Sequence, residues 1–181
     1  MVKVLKKYPK IDYAFVLGRL SKKVGINFQY FPIENWENEI KLGKKFGFDG
    51  VEWIISDLSN PIFNNNQIKN INSKLNYNKM KMTSIALDFI MNKPLYTLTK
   101  DELKWILYKL SVIQKKIKIP RITIPIEETC RYKNNIQKFK TIYCLSKIIK
   151  KLSKKSDICI ETDLGLRELE NLLKIKSLSN L

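Results

Sequence analysis

The sequence predicts an α/β fold in which a parallel sheet is covered by helices, on three observations. Five short runs rich in apolar and β-branched residues recur along the chain: Tyr13–Leu17, Gly50–Ile55, Met82–Leu87, Arg121–Ile126 and Asp157–Glu161. Their starts are spaced by roughly 30 to 40 residues, room for one helix and two loops, as a βα unit needs. Each run is almost uniformly apolar rather than alternating, the pattern of strands buried on both faces.

The segments between the runs read as helices with recognisable ends. Asn35 is placed to cap Trp36–Phe46, and Gly47 follows as the residue best able to take the left-handed C′ conformation. Ile68, Ile71 and Leu75 give the second helix its apolar stripe, and the asparagines Asn64–Asn66 suit a loop and cap before it. Thr99 followed by Glu102 has capping-box spacing, with Leu103, Ile106, Leu107, Leu110 and Ile113 along one face of the third helix. Ile136, Phe139, Tyr143 and Leu152 mark a fourth, and Leu166–Leu173, entered after Gly165, a short fifth. No linker-like composition interrupts residues 1–181, so one continuous domain is expected.

Two architectures fit this pattern. An open doubly-wound sheet usually advertises a Gly-rich phosphate turn after its first strand, and none is present. A (β/α)8 barrel needs eight units and about 250 residues, whereas 181 residues supply five. On the residues alone the two readings stand level.

Composition excludes several functions. The chain carries 34 Lys+Arg against 17 Asp+Glu, a formal charge of +17, which invites a nucleic-acid reading. Only Arg19, Arg121, Arg131 and Arg167 are arginine, the residue that bidentate base and phosphate recognition prefers. The lysines are scattered along helices, and the abundance of Lys, Asn and Ile is what A/T-rich codons produce. A solvated lysine surface is therefore expected, with no specific nucleic-acid partner. No charge-free stretch exceeds eleven residues, Leu58 to Ile68, too short to span a bilayer, and no secretory signal is evident. Cys130, Cys144 and Cys159 have no CxxC spacing and the chain has no histidine. Zinc-finger and Cys/His or Ser/His nucleophile chemistries are excluded, and reduced thiols in the cytoplasm are expected.

The informative residues lie at the ends of the apolar runs. Arg19 follows the first, Glu52 sits inside the second, Asp88 ends the third, Glu127 and Glu128 end the fourth, and Glu161 with Asp163 ends the fifth. In a parallel α/β protein those ends share one face, where active sites are built. Glu128 and Asp163 equally suit caps for the following helices. Glu52, between Val51 and Trp53, needs a partner if buried; Arg19 is the obvious one, as an ion pair, and both residues also suit substrate contacts. Phe28, Tyr30 and Phe31 read as exposed aromatics, either in a loop over the site or roofing the core.

The segments LGRLS, QYFPIENWENE, GFDGVEWI, SIALDFIM and ICIETDL together resemble bacterial sugar phosphate isomerase/epimerase proteins of the xylose isomerase-like TIM-barrel superfamily, from about residue 13 onward. The resemblance decides for the barrel: a partial (β/α)8 TIM barrel of about five βα units, with the last three absent from this sequence. It implies proton transfer next to the carbonyl of a sugar or sugar phosphate. A divalent metal (Mn, Mg, Co or Zn) is usually held in such proteins by Glu, Asp, His and Glu at strands five to eight, and only the first maps here, onto Glu161. Glu161 is thus the candidate metal ligand and acid/base group, and Arg19, Glu52 and Asp88 are candidate substrate-binding residues. One carboxylate does not make a divalent catalytic site, so tight metal binding and turnover are not expected of these residues alone. A five-stranded piece also leaves two open edges and an exposed sheet interior, expected to be apolar and to drive association. A non-catalytic module of the same fold is the alternative; an apurinic-site endonuclease, a barrel relying on several histidines, ranks last.

Overall fold

The structure, a computed structural model, describes residues 12–22, 30–175 and 178; Phe28 lies outside them. Five strands, β1 (Ala14–Val16), β2 (Gly50–Ile54), β3 (Lys81–Ala86), β4 (Arg121–Ile126) and β5 (Asp157–Thr162), form one sheet. The helices are α1 (Trp36–Lys45), α2 (Asn65–Tyr77), the single turn α3 (Phe89–Asn92), α4 (Lys100–Lys116), α5 (Asn135–Leu152) and α6 (Leu166–Leu173). All neighbouring strands pair parallel, in the order β1-β2-β3-β4-β5. A doubly-wound sheet reverses its strand order at a switch point; this one does not, and it is wound as part of a barrel. The register carries the matching stagger. Glu52, in mid-β2, pairs with Ser84, which pairs with Arg121 at the start of β4 and through it with Asp157 at the start of β5.

The helices cover one face of the sheet. Phe15, Val51, Trp53, Ile85, Ile124 and Ile158 point into a continuous core with Ile40, Ile71, Leu110 and Ile148 from the helices. Around Trp53 the packing is aromatic: Phe31 lies 4.9 Å away and Trp36 meets it edge-on at 5.5 Å. Phe31 is therefore buried under α1 and roofs the core, not exposed as expected; Tyr30 is exposed. Pro125 sits within a central strand without breaking it. Thr123 turns its carbonyl to Leu87 of the β3 side (3.0 Å), and the β3–β4 ladder ends at Ala86↔Thr123. Pro125 faces the same way two residues on, past the end of that ladder, where no N–H donor is needed.

Local ends match the sequence in most places. The Thr99–Glu102 capping box is present, Asn64 caps α2 by accepting from Asn66 N–H, and Gly47 takes φ +89 after α1. Asn35 sits at the start of α1 but its side chain does not cap it, because its amide instead donates to Ser21 Oγ at 2.7 Å. The fourth helix is present as α5, and the residues that mark it fall on two faces. Ile136, Phe139 and Tyr143 are exposed, while Cys144, Leu145, Ile148, Ile149 and Leu152 are buried. The helix is anchored through its later turns: Cys144 Sγ lies 3.3 Å from Leu95 O, and Gln114 reaches Leu152 O.

The face opposite the helices is not the apolar surface expected. Side chains on it include Glu52, Ser84, Arg121, Thr123, Cys159 and Glu161, with Ile54 and Ala86 among them. Period-two alternation puts every second residue of a strand here, and the apolar runs spend their large side chains on the helix side. All three cysteines are free, and no helix of the described residues is long and apolar enough to cross a membrane.

Helix α1 meets β1 closely at Gly43, where an added Cβ would lie 2.1 Å from the Phe15 ring. That ring is buried and packed on Phe48, so it has nowhere to retreat. Gly43→Ala is expected to lower unfolding free energy by roughly 1–3 kcal/mol in urea titration; an unchanged midpoint would contradict the tight β1–α1 contact.

Candidate active site at the strand ends

Each candidate residue is set by its strand. Arg19 leaves the turn after β1, in which Leu17 N–H donates to Glu52 O (3.1 Å) and Arg19 N–H to Val16 O (3.2 Å). Glu52 projects from mid-β2, and Ser84 Oγ on the paired position of β3 donates to its Oε2 at 2.5 Å. Asp88 stands just beyond β3 at the entry to α3, yet makes no side-chain cap, so its carboxyl stays with the site. Glu161 is the fifth residue of β5, opposite Pro125 of β4, and is exposed.

These groups act on one another. Burial pushes the Asp88 carboxyl up to about 6; the charges of Glu161, Glu52 and Glu127 push the same way and Arg19 opposes them. Glu161, Glu52 and Arg19 thus lie within electrostatic reach of Asp88. Glu127 joins them, its carboxyl raised by burial and then by Glu161, Glu128 and Asp163. Sequence reasoning gave neither Glu127 nor Ser84 a role here. Glu127 was visible as a strand-end acid; Ser84 and Thr83 are the two hydroxyls in the run Met82–Leu87, and alternation puts Ser84 on the same face as its β2 partner Glu52.

Glu128 and Asp163 do not cap the helices after them. Asn134 and Gly165 hold those positions. Glu128, at φ +43, instead donates its N–H to Asp163 Oδ2 at 3.3 Å, and Arg131 spans Asp163 (3.6 Å) and Glu168 (3.8 Å). The loops after β4 and β5 are thereby joined across the mouth of the sheet. Arg131 is about two-fifths exposed, so these pairs contribute alignment more than stability.

The donor set does not fit the divalent metal that the resemblance implies. Among the described residues no group of three or more Asp, Glu or Cys side chains is arranged to hold an ion. Glu161 has carboxylates within electrostatic reach, but not as a coordination shell.

The fold matches part of the TIM barrel of xylose isomerase-like proteins. Among solved structures, a xylose isomerase domain protein from Planctomyces limnophilus matches 92% of this chain and 58% of its own, with TM-score 0.60 and 10% identity. The D-psicose 3-epimerase from Clostridium cellulolyticum H10, solved with D-tagatose, matches 83% of this chain and 52% of its own, with TM-score 0.55 and 15% identity. The chain thus spans little more than half the length of either. No protein-family model matches the sequence, and no curated protein matches it significantly.

The Asp88 shift has a signed consequence for stability. A carboxyl that holds its proton to about pH 6 in the fold but loses it near 4 when unfolded favours the fold most below pH 4. That contribution, of order 2–3 kcal/mol, is lost as pH rises from about 4 to 6. Asp88→Asn is expected to flatten the stability profile over this window and to raise stability at pH 7. A profile unchanged by the substitution would contradict the assignment.

Proposed function

We propose that the strand-end residues form one wall of a sugar isomerase or epimerase site, where a proton moves at a carbon next to the carbonyl of a sugar or sugar phosphate. The observation that carries this reading is the convergence of Arg19, Glu52, Asp88 and Glu161 at the C-terminal end of a xylose isomerase-like sheet. Support comes also from the D-psicose 3-epimerase, solved with a ketose, whose fold this chain shares over 83% of its length.

The chemistry asks for little else at the reacting carbon. A general base removes the C–H proton, an enediolate forms, and a general acid returns the proton to the other face or to the next carbon. Asp88 exchanges its proton near pH 6, close enough to neutrality to give and take one during turnover. Glu161 reaches the face from β5 and is the partner acid/base group, and Glu52, fixed by Ser84, binds a sugar hydroxyl. Arg19 supplies the positive charge that an enediolate oxygen or a phosphate requires.

Five strands make an incomplete barrel, which needs eight. We assign the remaining wall, with any metal ligands beyond Glu161, to further βα units pairing along the open edges of β1 and β5. A second reading, a non-catalytic module of the same fold, is favoured by the absence of a metal-holding group among the described residues.

On its own the protein is expected to turn over no ketose or ketose phosphate, and to give no tight one-to-one site in calorimetric titration with Mn2+ or Co2+. A micromolar site would overturn the assignment of the missing ligands to other units. D-Tagatose or D-fructose 6-phosphate is expected to shift the backbone NMR signals of Arg19, Asp88 and Glu161, less so in Glu161→Gln. Shifts elsewhere only, or none with any ketose tried, would leave the non-catalytic module.

The open edges make their own prediction. Sedimentation is expected to show concentration-dependent association, reduced when Cys159 and Ile160 of β5 are replaced by lysine and proline; a monodisperse monomer at all concentrations would refute it.

A further inference from the structure

Glu39 is the one carboxylate of α1 that faces inward. It lies on the Trp36–Ile40–Gly43 side of the helix and is wholly buried. Its Oε2 accepts the N–H of Gly18 at 2.6 Å. Its Oε1 is buried with no hydrogen-bond partner. An apolar side chain would avoid this desolvation, so packing alone gives no reason for a carboxylate here.

The carboxylate adds a side-chain hold to a turn otherwise kept by two backbone hydrogen bonds. Gly18 has φ +92, and an added Cβ there would lie 2.4 Å from Tyr30 O. The turn is bonded to β2 at Leu17 and closed by the Arg19 N–H to Val16 O contact. Gly18 is its apex, and Glu39 is the side chain that fixes it. The next residue is Arg19, the cation that acts on Asp88 from this turn.

We propose that Glu39 is a positioning residue: its buried carboxylate clamps Gly18 and thereby aims the Arg19 guanidinium at the strand-end carboxylates. The role rests on the strand-end site proposed above, but its test does not need turnover. The bond requires an acceptor on the side chain at position 39, and not a charge. Glu39→Gln keeps an acceptor; Glu39→Ala removes it and frees the turn.

The readout is the Asp88 titration midpoint, followed by carboxyl 13C NMR. Arg19→Gln, which deletes the opposing charge outright, sets the full upward shift. Glu39→Ala is expected to raise the midpoint toward that of Arg19→Gln, and Glu39→Gln to leave it near the native value. An Asp88 midpoint unmoved in a folded Glu39→Ala protein overturns the proposal, as does a Gln variant that shifts as far as Ala. Should the Ala variant not fold, the unmodified protein still decides: the Gly18 amide is expected to be strongly protected from hydrogen exchange, and exchange at the free-peptide rate overturns the clamp. Failure of sugar binding with a confirmed Glu39 effect would defeat the functional reading and leave the clamp standing.

Discussion

Parallel pairing in sequential order is the constraint from which the rest of this structure follows. A parallel strand cannot be followed by a tight turn; the chain must return to the starting end before it pairs again, and a helix is the economical return. With the order β1-β2-β3-β4-β5 every return runs on the same side of the sheet. Two asymmetries result. The helix-facing side of each strand takes the large apolar residues, and the other side is left to small and polar ones. All strand exits also fall at one end, so one ionisable residue per exit becomes a cluster although neighbours in that cluster are 30 or more residues apart in sequence.

The cluster is electrostatically uneven. Three carboxylates, Glu161, Glu52 and Glu127, act on Asp88, against one arginine that opposes. A structure selected only for stability would not collect like charges at half-buried positions. The fold contains the repulsion by different means at different points. Glu52 is tied to a hydroxyl on the neighbouring strand, Asp163 is tied to a backbone amide and to Arg131, and Asp88 keeps its proton to a higher pH. Asp88, raised to about 6, is chemically able to exchange a proton near neutrality.

Much of this was legible in sequence because the signals were local. The limits of β4 and α6, the Thr99–Glu102 box and the left-handed Gly47 each depend on a few adjacent residues. The errors came where a distant residue competes. Ser21 takes the Asn35 amide that would otherwise be free to serve the helix. The buried face of α5 was not legible because a helix rich in Ile, Phe and Tyr has apolar residues on two faces, and only its packing against α4 and the 95–97 turn chooses between them. Glu39 was missed for a related reason. Its spacing from Trp36, Ile40 and Gly43 puts it on the buried side, but what it serves, the Gly18 amide, lies 21 residues away in the chain.

The two sides of this cluster are built to different standards, and the difference is physical rather than accidental. On the β1 side the turn is fixed by β2, by Glu39 and by the close passage of Tyr30, and the aromatic packing of Phe31, Trp36 and Trp53 lies beneath. On the β5 side Glu161 stands exposed on an edge strand. Yet Glu161 is the largest of the charges raising Asp88, so the rigid wall and the open one meet at a single carboxyl. Burial and the Glu161 charge are the two leading causes of the Asp88 shift, and Arg19, from the turn that Glu39 holds, is the charge that opposes them.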